Sequence, residues 1–149
     1  MRKFTFGLAK VAETKSIQVK KKSQELAEML RRLENEEMEF SRMSNELDIL
    51  SEEVLRKSIE GCPAKDLREY QRYVHRVSGE IREKKKNIEM IEEMIEEIQV
   101  GLMELSKEKE VLGKLREKRY LKHMKDQIKE EQKMLDEMNL ISKGIKNLL

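Results

Sequence analysis

The chain has 149 residues, of which 42% are charged and 4% aromatic, with no Trp and a formal net charge of +2. A compact domain of this length draws on a larger aromatic and aliphatic share, so the composition excludes an ordinary globular interior and keeps most of the surface wet. No run of about 18 apolar residues is present, which excludes a helical membrane span.

The opening Met-Arg-Lys-Phe-Thr-Phe-Gly lacks the apolar stretch of a secretory signal, and a lone Cys62 cannot form an internal disulfide. Both point to a cytoplasmic setting. A dense apolar cluster then stands out among basic residues: Phe4, Phe6, Leu8 and Val11 beside Arg2, Lys3 and Lys10. A first helix is expected from about residue 4 to residue 60. Within it Leu26, Leu33, Phe40, Leu47 and Val54 recur every seven residues, and Met29, Met43 and Leu50 form a second row three residues on. Apolar side chains spaced alternately three and four apart line one narrow helical stripe, which over many heptads is buried only against another helix.

The stripe breaks once, at Gly61-Cys62-Pro63. Gly61 can take the left-handed conformation that ends a helix, and Pro63 cannot continue one. The turn is expected over 61–66, with a second helix from about 67 to 145. Its start is signalled either by Asp66 and Glu69 in the manner of a capping box or by Pro63 as the first helical residue. The beat resumes with Leu67, Val74, Ile81, Ile88, Ile95 and Leu102 in one row. Tyr70, Val77, Ile91, Ile98, Leu105 and Leu112 form the other. A loop this short makes the two arms antiparallel. The predicted fold is all-α: two long helices in an antiparallel coiled-coil hairpin, a single unit over 1–149.

Arm lengths predict an overhang. Antiparallel matching uses the second arm only to about Tyr120, where the rows lose phase at Lys109, Arg116 and Arg119. A new phase begins with Leu121, Met124, Ile128, Leu135, Met138 and Ile145. Residues 121–149 are therefore expected to face something outside the hairpin, fraying until a partner arrives. Acid-before-base pairs at four-residue spacing, such as Glu53 with Lys57, Glu80 with Lys84 and Glu110 with Lys114, favour helix by about 0.2–0.5 kcal/mol each. Gly79, Gly101 and Gly113 work against it.

Charge is unevenly spread. Met1 to Lys22 carries seven basic residues and one acid, whereas Glu25 to Glu60 carries eleven acids and five bases. Basic residues return at Lys114, Arg116, Lys118, Arg119, Lys122 and Lys125. In a hairpin the two basic zones meet at the end bearing the termini. The resulting potential is either a solvated face or a means of steering an acidic partner.

Catalytic chemistry has no foothold. His75 and His123 have no second ligand at metal spacing, and Gly113-Lys114 lacks the glycine loop of a phosphate site. Glu92, Glu93, Glu96 and Glu97 lie on a wet helix face, without the pocket that a catalytic pair requires. Neither a cofactor nor a metal is expected. Beside the turn, Tyr73 in Tyr70-Gln71-Arg72-Tyr73-Val74 sits next to the seam. It is either a binding anchor or a ring packed over the seam's edge.

The run Lys3-Phe4-x-Phe6-x-Leu8-x-Lys10-Val11, the mid-chain glycine turn and Leu67-x-x-Tyr70-Gln71-x-Tyr73-Val74 resemble the FliJ family of the bacterial flagellar export apparatus. So do Leu115-x-x-Lys118 and Glu131-Gln132-Lys133-x-x-Asp136-Glu137, and the likeness covers nearly the whole chain. This resemblance implies an antiparallel coiled coil similar to the central stalk of rotary ATPases. It further implies that the chain is no enzyme, sits at the inner face of the cell membrane through its partners and binds three of them. These are the hexameric export ATPase, the membrane-embedded export gate and export chaperones. By analogy, the termini end would meet the ATPase ring through Phe4, Phe6, Leu8, Arg116, Arg119, Leu121, Met124, Ile128, Leu135 and Met138. The turn end would meet the gate through Tyr70, Gln71, Tyr73 and Val77. Nucleic acid is not an expected partner. Three other readings compete: a structural spacer that self-associates through 121–149, a nucleic-acid or lipid-surface binder using the basic end, and the equivalent stalk of a virulence secretion system.

Overall fold

The computed structural model describes residues 2–148 and contains two long helices packed against each other as a hairpin, α1 over Ala9–Glu60 and α2 over Ala64–Leu148. No strand occurs among the described residues. The connection is as tight as the sequence requires. Gly61 has φ 93° and its amide bonds to the Lys57 carbonyl at 3.1 Å, the left-handed helix stop that a side chain would strain. Pro63 stands just outside α2, and its carbonyl accepts the amides of Asp66 and Leu67 at 3.0 and 3.2 Å. α2 thus starts at Ala64 rather than 67. Asp66 lies in its first turn, where a negative charge favours the helix N-terminus.

Two compact units emerge from the contacts, Lys20–Met103 and, separately, Met1–Val19 with Glu104–Leu149. In Lys20–Met103 the seam forms along the predicted rows. Val77, Ile95 and Ile98 are buried, while Leu26, Leu33, Phe40, Leu47, Val54, Ile81, Ile88 and Ile91 are half-buried. Contacts step backward along α2 as they advance along α1, which makes the pairing antiparallel. Lys22 carries its stem within 3.8 Å of where a Gly101 side chain would begin, Glu36 and Glu39 reach Lys84, and Lys57 reaches Tyr70.

Charged residues fill gaps in the apolar rows. Glu36 falls between Met29 and Met43, and Lys84 between Val77 and Ile91. Lys84 Nζ sits 2.9 Å from Glu36 Oε2 and 2.6 Å from Glu39 Oε2, ignoring Glu80 on its own helix. Glu36 Oε2 is closed off from water, so Lys84 is the group that answers it. The carboxylates of Glu39 and then Glu36 raise the Lys84 pKa, and Lys84 in turn lowers that of Glu39. Nearer the turn, Lys57 Nζ lies 4.5 Å above the Tyr70 ring and donates to its hydroxyl, which raises the lysine's pKa.

Glu39, lowered from 4.5, contributes stability above that value and loses it as pH falls through its folded pKa. Lys84, raised from 10.5, contributes below that value and loses it as pH rises through its folded pKa. Lys84→Met is expected to lower the melting temperature by a few degrees at pH 7, because it strands Glu36. The deficit should shrink as pH falls below 4.5 towards the folded pKa of Glu39, where the parent loses that contribution too. The double variant Glu36→Leu/Lys84→Leu should regain or exceed the parent's melting temperature, since an apolar pair replaces a desolvated one. Thermal melts followed by circular dichroism at both pH values check each outcome.

Candidate interaction surfaces

In the unit containing both chain ends, α1 does not begin at Phe4 as expected. Residues 2–8 are not helical. The Phe6 carbonyl accepts the Ala9 amide at 3.1 Å, turning the chain into α1, and the Leu8 carbonyl accepts Ala12 at 2.9 Å. The reason is packing that no local pattern encodes. Phe4 meets Tyr120 edge-on at 5.3 Å between centroids and His123 at 5.5 Å. Arg116 lies 5.8 Å over the Phe4 ring and Arg119 5.6 Å over Phe6, the one buried residue among the described residues of this unit. The Arg2 carbonyl accepts from Gln127 Nε2 at 2.8 Å and from His123 at 3.1 Å, so His123 carries its proton on Nε2. Lys15 and Glu108 add an ion pair at 2.5 Å.

Phe4, Phe6, Arg116 and Arg119, placed together by sequence reasoning, do come together. They hold an N-terminal strap onto α2 rather than standing free. Leu8 is half-buried at the strap's end. Sequence reasoning missed Tyr120, His123 and Gln127. Their signal was the spacing 116, 120, 123, 127, which keeps one helix face in register after its apolar residues stop.

Beyond Gln127 every described residue of α2 is exposed. The expected single stripe is in fact two. Leu121, Met124, Ile128 and Leu135 lie on one side of the helix, 40–61% exposed. Met134, Met138, Ile141, Ile145 and Leu148 lie about 100° around the axis at 3.6 residues per turn. That second stripe is collinear with Arg116, His123 and Gln127, the face the strap covers. The covered length also differs from expectation: the strap protects α2 as far as Gln127 rather than Tyr120.

In Lys20–Met103, the tyrosine segment divides between seam and surface. Val77 is 8% exposed and belongs to the seam, and Tyr70 is half-buried and engaged by Lys57. Gln71 is exposed, and so is Tyr73, with Arg76 5.1 Å over its ring. Leu50, Asp66, Glu69, Tyr70 and Tyr73 border an open groove of about 550 Å³. Half-buried Cys62 lies in the turn. No group of three or more metal-ligating side chains is assembled among the described residues, and no helix is long and apolar enough to cross a membrane.

Removing the Phe4 ring should loosen the strap locally. Phe4→Ala is expected to speed hydrogen exchange at the Ala9 and Ala12 amides by about 2–10-fold, the equivalent of one aromatic pair. Amides in Lys20–Met103 should exchange at unchanged rates; uniform acceleration across the chain would show that the strap is not a local element.

A family model described as "Flagellar FliJ protein" matches residues 4–144, taking in the strap, the turn, the tyrosine segment and most of the exposed tail. No curated protein and no solved structure matches the chain. The matched span covers both helices and the segment ahead of them, and the chain belongs to the FliJ family of flagellar export proteins.

Proposed function

We propose that this flagellar export component works as a non-catalytic, stalk-like coiled coil that docks in the hexameric export ATPase and links it to the membrane export gate and to export chaperones. Family membership supports export as the setting. The observation that carries the finer reading is the tail: from Ile128 to Leu148 α2 offers apolar side chains that no other described residue covers. Exposed apolar helix of this extent is a docking surface in search of an apolar partner. Basic residues beside it, Lys118, Lys122 and Lys125, add a positive field that steers acidic partners to the same end.

The mechanism is allosteric. A rod that touches ring subunits differently in their different nucleotide states shifts the equilibrium among those states by its differential affinity. No bond is made or broken by its own side chains. At the other end, Gln71 and Tyr73 form the gate contact, with the outer face of Tyr70; Val77 acts by holding the segment's backbone on the seam. The protein is then cytoplasmic, and peripheral at the membrane only through the gate.

Titrating the purified chain into its cognate ATPase should raise ATP turnover several-fold to a plateau, read by phosphate release. Turnover flat to saturation rejects the stalk reading. Tyr73→Ala should leave helicity unchanged and weaken gate binding roughly tenfold, as for an exposed aromatic anchor. Equal affinities by calorimetry would move the gate contact elsewhere.

A further inference from the structure

One face of α2 carries its charge in two blocks. At roughly 100° per residue, Glu89, Glu93, Glu96, Glu97 and Glu104 fall within a single arc of about 100°, with no base among them. Lys107, Lys114, Lys118, Lys122 and Lys125 continue the same arc with no acid among them. α2 is helical throughout both blocks, and all of these side chains are exposed. Among the described residues only Lys114 of this set has an ion-pair partner, the exposed Glu110 at 3.3 Å. Near the middle of the arc, Val100 and Val111 are 54% and 64% exposed. We infer that this face of α2 pairs antiparallel with the same face of a second copy of this chain, about a two-fold axis between Leu105 and Ser106.

Register selects this occupant and this polarity. About that axis Glu104 comes level with Lys107 of the other copy, Glu97 with Lys114, Glu93 with Lys118 and Glu89 with Lys122. Val100 comes level with Val111, so the apolar positions of the face meet each other. Sliding by one heptad either way sets each valine level with a charged residue instead, and parallel pairing sets like charges along like. The match ends at Lys125, which comes level with Lys86, and this confines the contact to about 50 Å of helix at 1.5 Å per residue. The two-fold repeats every contact, so the interface closes on itself without polymerising. Exposed ion pairs are individually weak and screened by salt, which makes the dimer weak, with a dissociation constant on the order of tens of micromolar at low salt. It covers Lys118, Lys122 and Lys125, the residues that steer acidic partners, and is the state of the chain without such a partner. Only purified chain is required, so its test stands apart from ring docking.

Sedimentation equilibrium of the full chain in reducing buffer, over about 1–500 μM, should pass from monomer to dimer at about 50 mM salt. At about 500 mM salt the dissociation constant should rise at least tenfold. A monomer at every concentration in low salt overturns the inference, and so does a dimer indifferent to salt, which must rest on another surface. Lys114→Glu/Lys118→Glu and Glu93→Lys/Glu97→Lys change only exposed positions. Each variant alone should stay monomeric at the highest concentration, with parental circular dichroism; a dimer persisting in either one likewise rejects the pairing. Mixed in equal amounts, the two variants should regain the dimer as one copy of each, because every reversed lysine then comes level with a reversed glutamate. A mixture that stays monomeric means that these positions do not face one another, and the antiparallel register falls.

Discussion

Two helices can shelter only the stripe along which they touch, and this shortage of cover governs the chain. Val77, Ile95 and Ile98 are the buried residues of both helices, and even Leu33 and Phe40 remain half-open to water. Most seam residues, half-buried as they are, therefore contribute less than the roughly 1.5–3 kcal/mol of a fully buried side chain. Stability must come from repetition along the seam, not from any central cluster. A composition with 42% charged residues is the direct consequence, since most of each helix's circumference has no apolar neighbour.

A seam made only of equivalent apolar layers would also fit itself after a slip of one heptad. The charged layers remove that freedom. Moving α1 by seven residues in one direction brings Met29 and Arg32 to Lys84 in place of Glu36 and Glu39, setting two cations together. Movement the other way offers Met43 and Glu46, so one carboxylate of two is lost. Lys57 meets Tyr70 in the native alignment alone, because its equivalents a heptad away are Leu50 and Ala64. Polar layers inside a seam are poor sources of net stability and good sources of register. Register matters here because the turn is only three residues long and allows no adjustment at that end.

How much of this was legible depended on whether the cause was local. The seam rows, the Gly61 stop and the antiparallel arms follow from heptad spacing and from glycine and proline, and the structure has them. The start of α1 was not legible. Phe4 and Phe6 read as a helical apolar cluster, yet what decides their backbone is Tyr120 and His123, more than a hundred residues away. Arg116 and Arg119 looked like the end of the seam, although cation–π contacts to Phe4 and Phe6 let that face continue. Gaps at Glu36 and Lys84 were visible as gaps, but each explains the other only once the two helices are paired. Of the proposed contacts, Val77 reads as surface from its motif and as core from its row; the row decided.

The tail illustrates a different limit. A lone helix of its length is marginal in water because the first turn fixes several dihedrals for one hydrogen bond. Fraying was the expectation on that ground, yet α2 is helical to Leu148. Nucleation is the missing step in the lone-helix argument. The tail grows from a helix already formed on the seam, so each added residue faces only propagation, which is near balance for the Lys, Glu, Gln, Leu and Met that dominate it. A helix formed in advance also presents its apolar stripe in fixed geometry, and an incoming partner then orders side chains rather than backbone. The same continuity explains why the exposed stripe keeps the phase of the strap-covered face: one unbroken helix carries both.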